Sequence, residues 1–304
     1  MAGVLASATM RAALGEWVQG WIGGKEALVS LVVSWKSSVE LRVPDGNEIF
    51  PRAGGKTLRA FETAKRIFSG NGESGDVPSD AFINVINPLP SARGLATSTM
   101  DIAGTFAAVA AYADNYPTDE ELFSLCAEIE PSDGIMFEGL ALVDHINGKL
   151  IERLPPPPDM HVVALIPSRT LDTADYRRNP SVIEAIRAGA RAHESAYKTF
   201  KSGLEKNDAE LTAKGATMPD EAQQKIMPCE EWDVITETAR ISGALGISVA
   251  HSGTASGILY APSNKFGADL AEKMLGNAYA DPRAPKASVR RTVVCGGGIF
   301  SMRM

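Results

Sequence analysis

Cysteine is scarce in this chain. Only Cys126, Cys229 and Cys295 occur in 304 residues, far apart in sequence and odd in number. That usage excludes a dense disulfide framework and a C-x-x-C metal knuckle, and it suits a reducing compartment. Histidine is equally sparse: His145, His161, His193 and His251 show no H-x-x-x-H spacing, which argues against a zinc site. No apolar run approaches the roughly 18 residues that a bilayer span requires. The first residues lack the basic region, long apolar stretch and cleavage site of a secretory leader. Basic charge is not in excess either, with 30 Lys and Arg against 37 Asp and Glu and a net charge of -7. A phosphate-backbone binder normally carries a basic surplus, so nucleic acid is not an expected partner. The expectation is a cytoplasmic protein that binds neither membrane nor nucleic acid, as a monomer or homodimer.

What is present is an ordinary globular composition, 44% apolar and 22% charged, long enough for two domains. Residues 27–33 (ALVSLVV) and 38–43 (SVELRV) are β-rich runs parted by a short polar break, and they predict a hairpin or adjacent strands. Helical spacing follows over 56–68, then a loop over 70–80 and a short strand over 81–86. Residues 98–113 are apolar on most sides, which predicts a buried helix. A further helix is predicted from Asp119 to Ile129, and a hairpin over 141–154 turning at Asn147-Gly148. Pro155 to Pro158 form a stiff connector and set the expected boundary between an N-terminal domain (1–154) and a C-terminal one (159–304). Beyond it, strands at 161–166, 247–250, 257–260 and 290–295 alternate with helices at about 181–204 and 231–245 and with a last helix flanked by the final strands, the mixture of an α+β fold.

Two stretches resemble phosphate loops, and one of them fails. Gly55-Lys56-Thr57 has the tail of a P-loop, but G-x-x-x-x-G-K-[ST] requires glycine where Phe50 stands. The other is Pro90-Ser91-Ala92-Arg93-Gly94-Leu95-Ala96-Thr97-Ser98-Thr99, which leads straight into the buried helix. Glycine lets the backbone approach an anion, small hydroxyl residues donate without bulk, and a helix N-terminus adds free N–H groups and a positive dipole end. Such a segment either holds a polyphosphate or is a loop capped by Ser or Thr.

Residues 90–99 resemble the second motif of the GHMP kinase superfamily, P-x-x-x-G-L-x-S-S-A. Pro90, Gly94, Leu95 and Ser98 match, while Thr97 replaces the first serine and Thr99 the alanine. Gly15-Glu16 resembles the Gly-Glu of the first motif. The stretch His251-Ser252-Gly253-Thr254-Ala255-Ser256-Gly257 resembles the glycine-rich third motif, in the right order along the chain. Within the superfamily, Gly15 to Gly20, Gly94 to Ile102, Glu130-Pro131-Ser132-Asp133 and Ala250 to Thr254 are most similar to the L-threonine kinases of cobalamin synthesis and propanediol utilisation. Ala6 to Leu14 departs from the pattern, lacking the Pro and Cys that usually precede Gly-Glu.

The resemblance implies a two-domain α+β GHMP kinase fold. Its N-terminal domain would be like domain 2 of ribosomal protein S5 and its C-terminal domain ferredoxin-like, with the site in the cleft between them. It implies transfer of the γ-phosphate of ATP, with Mg²⁺, to a small-molecule acceptor hydroxyl, that of L-threonine or something similar. Pro90, Arg93 and the run Gly94 to Thr99 would bind ATP, with Ser98 also a ligand to Mg²⁺ and counted with the catalytic residues. Glu130 would complete the metal shell or else be a solvated helix end. Asp133 would be the base for the acceptor hydroxyl or else a structural turn residue. Asp101 would complement the helix dipole in the first turn or meet an amino group, and Arg93 would pair with a phosphate or be solvated. Glu16, Ser252, Gly253 and Thr254 would shape the acceptor side, Glu16 alternatively stabilising the first loop. Other readings are a kinase for another small alcohol, homoserine among them, and a non-catalytic nucleotide sensor of the same fold.

Overall fold

The computed structural model describes residues 3–44, 53–68, 76–170, 180–224, 228–250, 253–281 and 285–304. The chain opens with a long antiparallel hairpin of β1 (Val4–Ile22) and β2 (Lys25–Arg42). Gly23 and Gly24 turn it with φ of 61° and 78°, a two-residue turn that needs positive φ at both centres. The two β-rich runs expected as separate strands are thus one strand, and its partner is the segment that includes Ala6 to Leu14.

Tertiary packing explains both differences. The polar break within β2 is held by its neighbours: Ser34 Oγ lies 2.9 Å from Thr292 Oγ1, and Ser37 Oγ donates to the Ile86 carbonyl. Alanine is a weak strand former, yet Ala6, Ala8, Ala12 and Ala13 are buried because helix α2 (Thr97–Tyr112) lies close over this sheet. A Cβ at Gly104 of α2 would sit 2.6 Å from Val39 Cγ2. Small residues on both surfaces permit that approach.

The first sheet has the order β10 (Ile299–Arg303), β1, β2, β4 (Leu140–Asp144), β5 (Lys149–Leu154), with β3 (Phe82–Ile86) pairing the far half of β2. Strands β4 (Leu140–Asp144) and β5 (Lys149–Leu154) form the expected hairpin, and α1 (Gly55–Phe68) and α3 (Asp119–Ile129) flank α2. Beyond the prolines come β6 (His161–Pro167), α4 (Pro180–Ala188), α5 (Ala190–Glu205) and α6 (Ala209–Gln223). They are followed by α7 (Trp232–Ser242), β7 (Gly246–Val249), β8 (Ser256–Tyr260), α8 (Lys265–Ala278) and β9 (Ala287–Val293). The second sheet runs β7-β8-β6-β9, entirely antiparallel.

Strand β10 (Ile299–Arg303) then returns to the first sheet beside β1, pairing Met10 with Ile299. The segment 159–304 therefore gives its last strand to the sheet built by 1–154. Neither β10 nor α6 was anticipated from the sequence. The larger core joins α5 and α6 to β1, with the Phe200 and Trp17 rings 5.5 Å apart. A smaller core of Ile235, Ile258, Tyr260 and Leu275 lies between the second sheet and helices α7 and α8. Among the described residues, no helix is long and apolar enough to cross a membrane.

Candidate active site

The N-terminus of α2 is where three distant segments meet. Ala96 precedes the helix in the left-handed region, φ 55°, and no side chain caps the helix. Its first N–H groups thus have no side-chain cap, and with the dipole they form an arrangement that suits an anion. Gly94, with φ +80°, accepts a hydrogen bond from Gly15 N at 2.9 Å. The carbonyl of Arg93 accepts from both Thr254 N (3.1 Å) and Ala255 N (2.9 Å). Contact here is backbone on backbone. A Cβ on Gly253 would lie 2.2 Å from Gly94 N, and one on Gly15 would lie 2.9 Å from Ala250 N. The glycines of all three expected motifs are therefore required by the closeness of the chain segments.

Beside this seam the acidic residues gather. Ser98 Oγ donates to one oxygen of Glu130, and Lys56 Nζ donates to the other. Glu130 caps the C-terminus of α3 in extended conformation, with its side chain 19% exposed. Ser98 and Glu130 supply a hydroxyl and a carboxylate oxygen, a partial shell that suits Mg²⁺, which takes oxygen ligands and shares them with water and phosphate. Among the described residues no group of three or more His, Cys, Asp or Glu could form a metal cage.

Asp133 sits on the turn after Glu130, held by Thr99 Oγ1 at 3.2 Å and Ser30 Oγ at 3.4 Å. Its own N–H donates to Thr99 Oγ1, and the turn is pinned by Ser132 N donating to the His145 carbonyl. Burial pushes the Asp133 carboxyl above the usual carboxylate range, against the pull of the two hydroxyl donors. The residue nonetheless remains partly exposed.

The remaining expected residues distribute as follows. Pro90 and Arg93 lie in the lead to α2, Leu95, Thr97 and Thr99 are buried at its start, and Glu16 is buried on β1 next to Gly15. Register irregularities between Ala13 and Val18 accompany the turn of the chain at Gly15. Thr254 is fixed by donating to the Arg169 carbonyl at 3.1 Å. His251 and Ser252 lie outside the described residues. Asp101 differs from its first-turn placement: it is the fifth residue of α2, one turn too far in for the dipole. It accepts from Asn87 Nδ2 at 3.0 Å, and burial raises its pKa.

Two participants were missed. Lys56 belonged to the rejected P-loop, yet the packing of α1, whose second residue it is, brings it to Glu130. Its only signal was a cation at a helix start. Ser30 is one of several serines in a strand, and nothing in its neighbours marked it.

Comparison with known proteins agrees with this geometry. Residues 57–138 match the model of the GHMP kinases N terminal domain. Over 292 residues the chain is 31% identical to an L-threonine kinase of Citrobacter freundii, covering 96% of this chain and 99% of that protein. It is 30% identical over 256 residues to an L-threonine kinase of Salmonella typhimurium, covering 84% and 83%. A homoserine kinase structure from Cytophaga hutchinsonii superposes with a TM-score of 0.70 at 16% identity, over 99% of this chain and 98% of that one, a likeness of fold. With the three motifs joined at one helix start and a relative matched along nearly its whole length, the chain belongs to the GHMP kinase family and is an ATP-dependent kinase.

Proposed function

We propose that the chain phosphorylates the hydroxyl of L-threonine to give O-phospho-L-threonine. The observation that supports catalysis most directly is the placement of Asp133 beside the Ser98–Glu130 pair at the uncapped start of α2. The choice of threonine rests on the identity to the Citrobacter freundii L-threonine kinase.

In this reading the helix start and the Gly94 loop hold the triphosphate through backbone N–H groups. Ser98 and Glu130 would hold Mg²⁺, which when bound would neutralise phosphate charge. Lys56, paired with Glu130, adds a positive charge at the same place. The threonine hydroxyl oxygen attacks the γ-phosphorus as the bond from phosphorus to the β–γ bridging oxygen breaks. ADP leaves, and the hydroxyl proton passes to Asp133. A carboxylate with a raised pKa is a better base than an ordinary one while it stays ionised. Glu16 and Thr254 line the acceptor side. The product would feed the aminopropanol arm of the corrin nucleotide loop.

Homoserine is the other acceptor to weigh, because a homoserine kinase of Carboxydothermus hydrogenoformans is 25% identical over 214 residues. ADP release with ATP and Mg²⁺ across L-threonine, L-serine, L-homoserine, mevalonate and galactose decides between them. Turnover confined to L-threonine is the expected result. Preferential turnover of any other acceptor would discard the threonine assignment.

A further inference from the structure

Strand β7 ends where the glycine-rich third motif begins, and it lies at the edge of the second sheet. An edge strand carries backbone groups that no neighbouring strand satisfies. Helix α6 satisfies two of them with side chains. Ile247 N donates to Thr217 Oγ1 at 2.9 Å, and Val249 N donates to Asp220 Oδ2 at 2.8 Å. Residues two apart in a strand turn their N–H groups to the same side, and residues three apart in a helix share a face. One turn of α6 therefore matches this stretch of β7. The fit is close: a Cβ on Gly246 would lie 2.6 Å from the Ala213 carbonyl oxygen and 2.7 Å from Thr217 Oγ1.

Asp220 is the unexpected member of that pair. It is 1% exposed, and burying a carboxylate opposes folding unless hydrogen bonds compensate. What it holds gives it a role. Val249 leads directly to Ala250, the residue on which the seam closes. A Cβ on Gly94 would lie 2.3 Å from Ala250 Cβ, and one on Gly15 would lie 2.9 Å from Ala250 Cα. Ala250 thus abuts glycines of the first and second motifs at once. Its own N–H donates to the Ala255 carbonyl at 2.9 Å, and Ala255 N donates in turn to the Arg93 carbonyl. The neighbouring Ser248 is tied as well, its buried Oγ donating to the Glu16 carbonyl at 2.9 Å. Successive residues at the end of β7 are therefore anchored to β1 and to α6, and their position passes through Ala250 to the Arg93–Gly94 turn.

We propose that Asp220 is a positioning residue of the kinase: by fixing the Val249 N–H it sets the third motif at its working distance from the Arg93–Gly94 turn. Thr217 makes the same kind of bond two strand residues farther from the seam, so it anchors β7 without setting that distance. The proposal rests on the kinase activity of the chain and not on the identity of its acceptor.

The test compares Asp220→Ala, Asp220→Asn and Thr217→Val with wild type by steady-state ADP release, well below every melting midpoint. The acceptor is whichever of the panel the wild type turns over fastest, so a wrong threonine assignment leaves the result intact. Asp220→Ala and Thr217→Val each remove one acceptor from a β7 N–H and should both lower the midpoint. Only Asp220→Ala should lower kcat, by at least about ten-fold, since a misplacement of about 1 Å costs on the order of 100-fold. Its KM for ATP should stay within about three-fold, because the start of α2 belongs to its own buried helix. Asp220→Asn keeps an oxygen that accepts from Val249 N and should hold kcat within about three-fold of wild type. Should Asp220→Ala not fold, Asp220→Glu is read in its place: it keeps the acceptor on an arm one methylene longer, and kcat should again fall about ten-fold. Wild-type kcat in the folded Asp220→Ala or Asp220→Glu protein overturns the proposal. So does a Thr217→Val protein as slow as Asp220→Ala, which would show a merely structural role. An Asp220→Asn protein as slow as Asp220→Ala overturns it too, because charge and not the bond to Val249 would then be what matters.

Discussion

Substitution of Gly253 by alanine tests the seam on which the whole site depends. The added Cβ would meet Gly94 N at 2.2 Å and the Arg93 carbonyl carbon at 2.3 Å, both backbone atoms that no rotamer change can move. Ordinary contact begins at 3.4 Å, so the two loops must part by about 1.2 Å. That parting strains or breaks the two hydrogen bonds to the Arg93 carbonyl, from Thr254 N and Ala255 N. Each is worth about 1 kcal/mol net, and residual crowding adds about 1–3 kcal/mol, so a loss of about 3–5 kcal/mol is expected. At roughly 2 °C per kcal/mol for a chain of this size, the melting midpoint should fall by about 6–10 °C. Activity should suffer more, because a misplacement of about 1 Å at a reacting centre costs on the order of 100-fold. Differential scanning fluorimetry and steady-state ADP release report the two effects together. A Gly253→Ala protein with wild-type midpoint and wild-type kcat/KM would refute the close-approach reasoning.

Other expectations follow from single groups. Asp133→Asn should lower kcat by about 10²–10⁴-fold and yet raise the melting midpoint at neutral pH. Because burial raises the folded-state pKa of this acid, its charge opposes folding above that pKa, and the penalty vanishes below the unfolded carboxylate range. The stabilisation should therefore shrink as pH is lowered; a difference that grows toward acid would contradict this. For the same reason, the acid limb of the wild-type rate profile should fall at a higher pH than an ordinary carboxylate gives. Glu130→Gln should raise the Mg²⁺ concentration for half-maximal nucleotide binding by about ten-fold or more, read by fluorescence titration. An unchanged value would remove Glu130 from the metal shell. Phe200→Ala empties a fully buried position against Trp17 and should cost about 3–5 kcal/mol, seen as a lower urea midpoint at unchanged slope.

Local chemistry made much of this protein readable from its sequence. The run from Pro90 to Thr99 announces an anion-binding helix start, because its glycine, small hydroxyl residues and following apolar helix act within one turn of each other. The helices at 55–68, 97–112 and 119–129 and the hairpin at Asn147-Gly148 were legible for the same reason, since periodicity and turn residues are short-range. Pairing over distance was not. Only the folded chain makes β1 and β2 one hairpin, because Ala6, Ala8, Ala12 and Ala13 are strand residues by virtue of the helix above them. Only it returns β10 to the first sheet and brings Lys56 to Glu130 across 74 positions. The pairing of Arg291 with Asp269 and Glu272 of α8 was likewise decided by tertiary structure: successive residues of a strand face opposite ways, and what each meets depends on the element packed against that face.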